Sequence, residues 1–124
     1  MLLIQSNKIL INSIKDKGRG LIASDNIASG ELIERMPIIE FDEEQTKILL
    51  HNKIDAYLWV WNSGDKITKT GIALGLISLC NHSRTPNCKI EKYFEKQMIE
   101  LIALREIKID EELTLQYIST DFED

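Results

Sequence analysis

Long hydrophobic runs are absent from this sequence. The purely apolar stretches are only a few residues long, whereas a membrane-spanning helix needs about 20 apolar residues in succession. The N-terminus also lacks the basic segment and the following apolar segment that are typical of a signal peptide. We therefore expect an intracellular protein without a membrane partner.

Cysteine is scarce, and positive charge is in deficit. The two cysteines, Cys80 and Cys88, occur without an export signal, which favours reduced thiols over a disulfide.

Lysine and arginine number 15 against 20 acidic residues, which gives a net charge of -5. This balance argues against a general nucleic-acid binder, because phosphate contacts require a clustered cationic surface. The charge favours a lysine-rich protein or peptide as the partner.

Linkers and repeats are missing too. No stretch rich in proline, glycine and serine divides the 124 residues, and no internal repeat is evident. The hydrophobic fraction of 44% and the charged fraction of 28% are typical of packed globular domains and not of disordered chains. Since this length suits one small domain, we expect a single domain over residues 1–124.

Short strands dominate the predicted secondary structure. Apolar and β-branched runs bounded by turn-forming residues predict strands around Ile9 and Ile11 and at residues 21–23, 32–36, 57–61, 89–94, 98–104 and 113–117. Pro37 indicates that the third of these is an edge strand or ends there. The segments 89–94 and 98–104 flank a polar turn and predict a hairpin. Closely spaced short strands favour a mainly β or α+β domain over alternating strands and helices.

The sequence predicts one clear helix. Asp42 is placed to cap its first turn, and Gln45 follows three residues later as in a capping box. Ile48 and Leu49 supply an apolar stripe close to its end. Residues 73–79 suit a short buried helix or a turn, because two nearby glycines lower the preference for a regular element.

Three separated segments carry residues suited to chemistry: residues 17–20 (Lys-Gly-Arg-Gly), 81–87 (Asn-His-Ser-Arg-Thr-Pro-Asn) and 112–117 (Glu-Leu-Thr-Leu-Gln-Tyr). Taken singly, each has an ordinary structural interpretation. A Gly-x-Gly turn often reflects only the need for positive φ angles, and Asn, Ser and Pro are common loop formers. His82 is then a hydrogen-bonded core histidine, and Tyr117 packs its ring at the end of a strand.

In their order and separation, the three segments together resemble the motifs of the SET-domain protein-lysine methyltransferases. That family has a Gly-x-Gly turn near the start, an Asn-His-Ser-x-x-Pro-Asn motif in the second half and a closing Glu-Leu-Thr-x-x-Tyr motif. The resemblance covers nearly the whole chain and is greatest for the minimal members, of the small viral type. It implies a SET (β-clip) fold with short curled sheets, one helix and a pseudoknot-like threading of the C-terminal segment, to which Pro86 and Asn87 would contribute a turn.

The same resemblance implies transfer of a methyl group from S-adenosylmethionine to the side-chain amine of lysine in a histone or another basic protein. It also implies a location in the cytoplasm or with chromatin or a nucleoid. A catalytically weak SET-fold module that only binds lysine-bearing peptides is the alternative, and a homodimer that covers exposed surface is a further hypothesis. A small β domain that merely scaffolds a partner would require the three motifs to be coincidental.

The resemblance assigns residues to three roles. Tyr117 would be the catalytic residue, because its hydroxyl can orient the lysine amine near the methyl group without acting as a strong base. Tyr57, Trp59 and Leu115 would line the lysine channel, where aromatic rings suit the lysine stem and its charge; the alternative for the two aromatic residues is core packing. The residues that would bind S-adenosylmethionine are Lys17, Gly18, Arg19, Gly20, Asn81, His82, Tyr117 and Phe122. Among them, the Asn81 amide offers a donor and an acceptor to the zwitterionic end of the cofactor.

One departure from the family pattern bears on metal binding. Arg84 stands where the motif often has cysteine, and no cysteine-rich tail follows Tyr117. We therefore expect no zinc cluster and no metal. Cys80, His82 and Cys88 match no usual spacing of a closed four-ligand zinc site.

Two further departures lie next to Tyr117 in the sequence. Gln116 stands where relatives often carry aspartate, which changes the local charge. Leu115 occupies a position where an aromatic residue often sets the number of methyl groups added. Because leucine has no hydroxyl to restrain the amine, its presence favours more than one methylation.

Overall fold

The computed structural model describes residues 2–116. Within this range the chain forms ten strands, one α-helix and two 3-10 helices. The strands are β1 (Ile4–Gln5), β2 (Ile9–Ile14), β3 (Gly18–Ala23), β4 (Leu32–Phe41), β5 (Leu58–Val60), β6 (Thr70–Ala73), β7 (Asn81–His82), β8 (Cys88–Tyr93), β9 (Met98–Ala103) and β10 (Glu112–Leu115). The α-helix is α1 (Glu43–Leu49), and the 3-10 helices are Lys53–Tyr57 and Leu76–Leu79. The mainly β architecture with one α-helix is confirmed.

The strands form two sheets. The first has the order β5-β6-β4-β9-β8, with β1 also paired to β4. The second has the order β2-β3-β10-β7. The predicted hairpin is confirmed as the antiparallel pair β8 and β9, which runs from Cys88 opposite Ala103 to Tyr93 opposite Met98. The second sheet brings strands from the beginning, middle and end of the described chain side by side.

The last described strand, β10, is threaded between two earlier ones. It pairs antiparallel with β3 and parallel with β7, where Thr114 lies opposite Asn81 and Leu115 lies opposite His82. A parallel pair cannot be made by a tight turn, so this arrangement depends on the whole intervening chain. The predicted pseudoknot-like threading is therefore confirmed.

The expectation that the chain has no internal repeat was wrong. Residues 21–33 and 101–113 each begin with Leu-Ile-Ala and carry isoleucine and glutamate at equivalent later positions. The two segments pair reciprocally: the N–H of Ile27 donates to the carbonyl of Ile107 at 2.8 Å, and the N–H of Ile107 donates back at 2.9 Å. The matching residues are few, and all but the glutamate are apolar in a chain rich in isoleucine, so the sequence alone does not reveal the repeat.

Each repeat contains the same tight turn. The carboxylates of Glu31 and Glu111 each accept a hydrogen bond from the main-chain N–H three residues earlier, at 3.1 and 3.0 Å. Gly30 and Asp110 occupy equivalent positions, with φ angles of 81° and 73°. Glycine adopts such angles readily, and aspartate is among the residues that tolerate them. The second copy of this turn directs the chain into β10 and hence into the threaded position.

The prediction that Pro37 marks an edge or the end of a strand was also wrong. β4 continues through Pro37 to Phe41 and has neighbours on both sides. Pro37 is the last residue of β4 that pairs with β9, and Ile38 is the first that pairs with β6. Proline has no N–H to donate to a neighbouring strand. The sheet tolerates Pro37 because β4 changes its partner strand at this residue.

The α-helix begins as predicted but packs differently. The N–H of Gln45 donates to Oδ1 of Asp42 at 2.8 Å, and the N–H of Asp42 donates to Oε1 of Gln45 at 3.1 Å, which completes the capping box. Ile48, however, is 67% exposed and does not form a buried stripe. The helix instead buries Thr46, whose hydroxyl lies 3.0 Å from that of Thr70 on β6.

Two other predicted segments differ in their bounds. The strand predicted at residues 57–61 is the shorter β5, because Tyr57 ends a 3-10 helix. Residues 73–79 contain the end of β6 and the 3-10 helix Leu76–Leu79, which agrees with the expectation of a short helix or turn. The short strands β1 and β7 carried no clear sequence signal.

The core is contributed by both sheets and by both repeats. Its largest fully buried apolar side chains are Leu21, Ile27, Ile33, Trp61, Ile77, Ile99, Leu101, Ile107, Leu113 and Leu115. None of the helices among residues 2–116 has the length and apolar character needed to cross a membrane.

Candidate active site

One cleft gathers most of the predicted site residues. Its volume is about 1300 Å³, and its walls include the start of β3, the 3-10 helix Lys53–Tyr57, β5, β7, β8 and the end of β10. The predicted residues that line it are Lys17, Gly18, Arg19, Tyr57, Trp59, Asn81, His82 and Leu115. Gly20 is buried behind this wall. Tyr117 and Phe122 lie outside the described residues, so their assigned roles stay predictions.

The side chain of Asn81 joins the three motif segments. Its Nδ2 donates to the main-chain carbonyl of Arg19 at 2.9 Å and to Oε2 of Glu112 at 2.8 Å. The other carboxylate oxygen of Glu112 accepts from Nζ of Lys17 at 3.0 Å. The amide nitrogen of Asn81 therefore holds the site together, and its oxygen is the atom that suits a donor on a bound cofactor.

Glu112 was not among the predicted site residues, although it connects all three segments. Its carboxylate receives hydrogen bonds from Lys17 and from Asn81, while its main-chain carbonyl accepts from Nδ2 of Asn87 at 2.7 Å. The available signal was its place at the start of the third motif. Nothing in the sequence alone indicated that a residue 95 positions after Lys17 would pair with it.

The side chain of Asn87 bonds to the main chain of β10 at two points. Its Oδ1 accepts from the N–H of Thr114 at 2.8 Å, and its Nδ2 donates to the carbonyl of Glu112 at 2.7 Å. The residue is 2% exposed. Because buried main-chain groups require hydrogen-bond partners, this side chain supplies one partner each to the N–H of Thr114 and the carbonyl of Glu112. Asn87 thus supports the threaded segment, as expected from the motif.

The two glycines of the first motif act in different ways. Gly18 has a φ angle of 79°, and a Cβ built there would have no atom within 4 Å, so open space adjoins the turn. A Cβ at Gly20 would lie 2.7 Å from Nδ2 of Asn81 and 2.9 Å from Oε2 of Glu112. Gly18 therefore permits the turn and leaves its backbone accessible to a ligand, whereas Gly20 permits the close approach of the other two motifs.

Two buried apolar side chains form part of the cleft wall. Trp59 is 6% exposed and Leu115 is 2% exposed, and both belong to the hydrophobic core. The indole N–H of Trp59 donates to Oγ of Ser78 at 3.1 Å, which fixes the orientation of the ring. The core-packing interpretation of Trp59 is therefore confirmed, while its role in a lysine channel stays a prediction compatible with its place in the cleft.

A hydrogen bond connects the predicted cofactor side of the cleft to the predicted lysine side. Nη2 of Arg19 donates to the hydroxyl of Tyr57 at 3.0 Å. Arg19 belongs to β3, and Tyr57 ends the 3-10 helix that precedes β5. The contact orients the Tyr57 ring with respect to the glycine turn.

A buried glutamate positions the segment that leads into Asn81. Oε2 of Glu34 accepts from the N–H of Leu76 at 3.1 Å, and Oε1 accepts from the N–H of Ile77 at 2.9 Å. These N–H groups begin the 3-10 helix that ends just before β7. Burial raises the pKa of the Glu34 carboxyl, and the two hydrogen bonds oppose that shift. Glu34 is thus a supporting residue that the motifs did not reveal.

The cysteines pack inside the protein. Cys80 and Cys88 are both buried thiols, and Sγ of Cys80 donates to the carbonyl of Leu113 at 3.2 Å. Burial raises the pKa of the Cys88 thiol to about 12, so this residue stays protonated at neutral pH. Within residues 2–116, no group of three or more His, Cys, Asp or Glu side chains is arranged to hold a metal ion.

The threaded β10, the glycine turn and the Asn-His strand around one cleft define this chain as a SET domain. The SET-domain family model matches residues 18–118. That range contains the second and third motif segments, all of the first except Lys17, and most of the described strands. The chain therefore belongs to the SET-domain family.

Several histone methyltransferases are similar to this chain. The H3 lysine-37-specific histone-lysine N-methyltransferase of Schizosaccharomyces pombe is 37% identical over 108 residues, which are 86% of this chain and 71% of that protein. The H3 lysine-4-specific enzyme of Aspergillus oryzae is 35% identical in an alignment of 107 positions that covers 79% of this chain but only 8% of that protein. A solved structure assigned to the histone methyltransferases of Plasmodium falciparum superposes with a TM-score of 0.69 at 26% identity, covering 92% of this chain and 95% of the other. The similarity therefore lies in the SET domain itself.

Proposed function

We propose that this SET domain transfers a methyl group from S-adenosylmethionine to the side-chain amine of lysine in a protein substrate. The observation that carries the proposal is the meeting of all three motif segments at one cleft, through Asn81, Glu112 and Lys17. Membership of the SET family and the similarity to histone-lysine N-methyltransferases support the same reaction. A histone or another basic protein, and hence a location with chromatin, is the corresponding proposal for the substrate.

The cleft suits S-adenosylmethionine in size and in chemistry. Its volume of about 1300 Å³ exceeds the range of roughly 300 to 1,000 Å³ that is common for small-molecule sites, so a cofactor and a lysine side chain can share it. Lys17 and Arg19 would offer positive charge to the carboxylate of the cofactor. The open backbone at Gly18 and the oxygen of Asn81 would supply polar contacts to its amino-acid end.

The reaction places clear demands on the residues around the lysine. Bound S-adenosylmethionine supplies a methyl group that its sulfonium makes electrophilic. In the transfer, the lysine nitrogen would bond to this carbon as the carbon–sulfur bond breaks, and one proton would leave the nitrogen. Since only a neutral amine has the free electron pair, an apolar wall such as Leu115 would assist by disfavouring the ammonium form.

Tyr57 and Trp59 would hold the lysine before it reacts. Aromatic rings pack against the apolar stem of lysine and attract its ammonium through a cation–π interaction. The hydrogen bonds from Arg19 to Tyr57 and from Trp59 to Ser78 restrict both rings. Fixed orientations of these two rings would favour catalysis, because a correctly oriented amine reacts faster than a mobile one.

A two-part experiment tests the proposed function. S-adenosylmethionine is titrated into the protein by calorimetry, and the protein is then incubated with labelled cofactor and a mixture of basic proteins. We expect binding of the cofactor and incorporation of label into lysine. No cofactor binding would exclude the enzyme, whereas binding of cofactor and lysine peptides without transfer would favour the catalytically weak module.

Replacing Gly20 by alanine is expected to weaken cofactor binding at least tenfold. The added Cβ would collide with the Asn81 amide and with the Glu112 carboxylate, which must then shift from the positions that join the motifs. Calorimetry with S-adenosylmethionine measures the change. Gly71→Ala is the matched control, since its added Cβ also collides with a side chain, Cγ2 of Ile38 at 2.5 Å, but the residue does not line the cleft. Equal dissociation constants in the two variants would contradict this role of Gly20.

The number of methyl groups added is a separate prediction. Leu115 is an apolar wall of the cleft and has no hydroxyl to restrain a partly methylated amine. We therefore expect dimethylated or trimethylated product at saturating cofactor, measured by mass spectrometry, and mainly monomethylated product from Leu115→Tyr. Monomethyl product alone from the unaltered protein would contradict the hypothesis.

A further inference from the structure

The charge of the cleft differs in sign from that of the whole chain. The net charge of the chain is -5, yet Asp55 is the one acidic side chain among the described residues that line the cleft. The cationic side chains that line it are Lys17, Arg19, Lys53, Lys89 and Lys92. Lys17 pairs with Glu112, and Lys89 pairs with Glu91. The cleft is therefore locally positive although the protein as a whole attracts cations.

Lys92 differs from the other four cations in its environment. It lies half-buried on β8, and its Nζ donates to the main-chain carbonyl of Val60 on β5 at 2.8 Å. Within residues 2–116 its ammonium has no carboxylate partner within salt-bridge distance. Burial lowers the pKa of Lys92, since desolvation disfavours its charge. An ammonium carries three donors, so two remain after the bond to Val60.

Lys92 lies on the side of the cleft that is predicted to bind the substrate lysine. β5 and β8 are the two edge strands of the first sheet, and the bond from Lys92 to Val60 spans them. Val60 follows Trp59, one of the predicted walls of the lysine channel. The polar contacts that join the three motifs come instead from Lys17, Asn81 and Glu112 on the other sheet and its turn.

We propose that Lys92 is a specificity-determining residue that binds an aspartate or glutamate side chain close in sequence to the lysine being methylated. This inference rests on the proposed function, because it concerns the substrate of that reaction. A carboxylate would supply the missing counter-ion of a partly desolvated ammonium, and charge-assisted hydrogen bonds of this kind are among the strong ones. The overall negative charge of the chain would still attract a basic protein, while the cleft selects a lysine that has an acidic neighbour.

Peptide pairs provide the test. The probe is a library of peptides with one central lysine and flanking positions drawn from Gly, Ala, Ser, Arg, Glu and Gln, incubated with labelled S-adenosylmethionine. The best sequences are then remade as pairs that differ only by Glu or Gln at one flanking position, and kcat/KM and binding by fluorescence anisotropy are measured. We expect about a tenfold preference for Glu at one position, the size expected of one charge-assisted hydrogen bond.

Variants of the protein assign the preference to Lys92. Lys92→Met is expected to reduce the Glu preference to about one, and Lys92→Arg to retain most of it. Lys96→Met is the matched control, because it makes the same change in net charge at an exposed turn outside the cleft. Thermal unfolding of the variants and calorimetry with S-adenosylmethionine show that fold and cofactor binding persist in each.

The outcomes separate this inference from the proposed function. Methylation without preference for an acidic neighbour would overturn the inference and leave the function standing. Peptide binding with a Glu preference that Lys92→Met abolishes, but without methyl transfer, would support the inference and contradict the function. A weaker affinity for S-adenosylmethionine in Lys92→Met would assign Lys92 to the cofactor instead, and methylation of Lys92 itself, seen by mass spectrometry, would make it a substrate; each of these overturns the inference.

Discussion

Replacing Tyr117 by phenylalanine is expected to slow methyl transfer about a hundredfold, while the dissociation constant for S-adenosylmethionine changes less than about twofold. The change removes only the hydroxyl, whose predicted role is to orient the lysine amine and to place an oxygen near the polarised methyl group. Loss of such an orienting contact costs about two orders of magnitude in rate. The preceding residues support this prediction, since Leu115 and Gln116 both line the cleft.

Single-turnover kinetics with labelled cofactor measure the rate, and calorimetry measures the affinity. Tyr93→Phe is the matched control, because it removes a hydroxyl that donates to Oε1 of Glu100 at 3.0 Å outside the cleft. We expect this control to transfer methyl groups at an almost unchanged rate. Equal rates in Tyr117→Phe and the unaltered protein would refute the catalytic assignment.

Replacing Asn87 by alanine is expected to lower the free energy of unfolding by about 3 kcal/mol. Each buried main-chain group that loses its partner costs about 1 to 3 kcal/mol, and this variant leaves two such groups on β10: the N–H of Thr114 and the carbonyl of Glu112. The contact from Nδ2 of Asn87 to Glu111 is longer, at 3.4 Å, and contributes less. Denaturation with urea measures the change, assuming the two-state unfolding that is usual for a small domain.

Asn12→Ala is the control for this variant. Asn12 is exposed, and its side-chain oxygen accepts from the N–H of the next residue. A surface substitution of this kind changes stability by less than about 0.5 kcal/mol. If Asn87→Ala lost no more stability than Asn12→Ala, the side chain could not be what secures the threaded strand.

Local features of the fold could be predicted because their causes are local. The capping box of Asp42 and Gln45 and the hairpin of β8 and β9 depend on residues only a few positions apart. The failed predictions concern packing. Pro37 is tolerated because β4 changes partner strands there, and Ile48 is exposed because Thr46 faces the sheet. No pattern within either segment carries that information.

The candidate site divides in the same way. The three motifs identified the residues that line the cleft on its predicted cofactor side, since residue type and order are properties of the sequence. The side chains of the residues that were missed, Glu34, Glu112 and Lys92, contact positions 31 or more residues away. A single glutamate or lysine in a charged chain gives no sign of such a partner.

By itself, the sequence determined the family, the number of domains expected, the order of the motifs and the residue types available for methyl transfer. The tertiary structure alone decided how those motifs meet. The parallel pairing of β10 with β7 and the reciprocal pairing around Ile27 and Ile107 join segments about 30 to 80 residues apart, where no local preference acts. The positive charge of the cleft also depends on the fold. Among the described residues, the fold brings several cationic side chains and one acidic side chain to the walls of the cleft, although the net charge of the chain is negative.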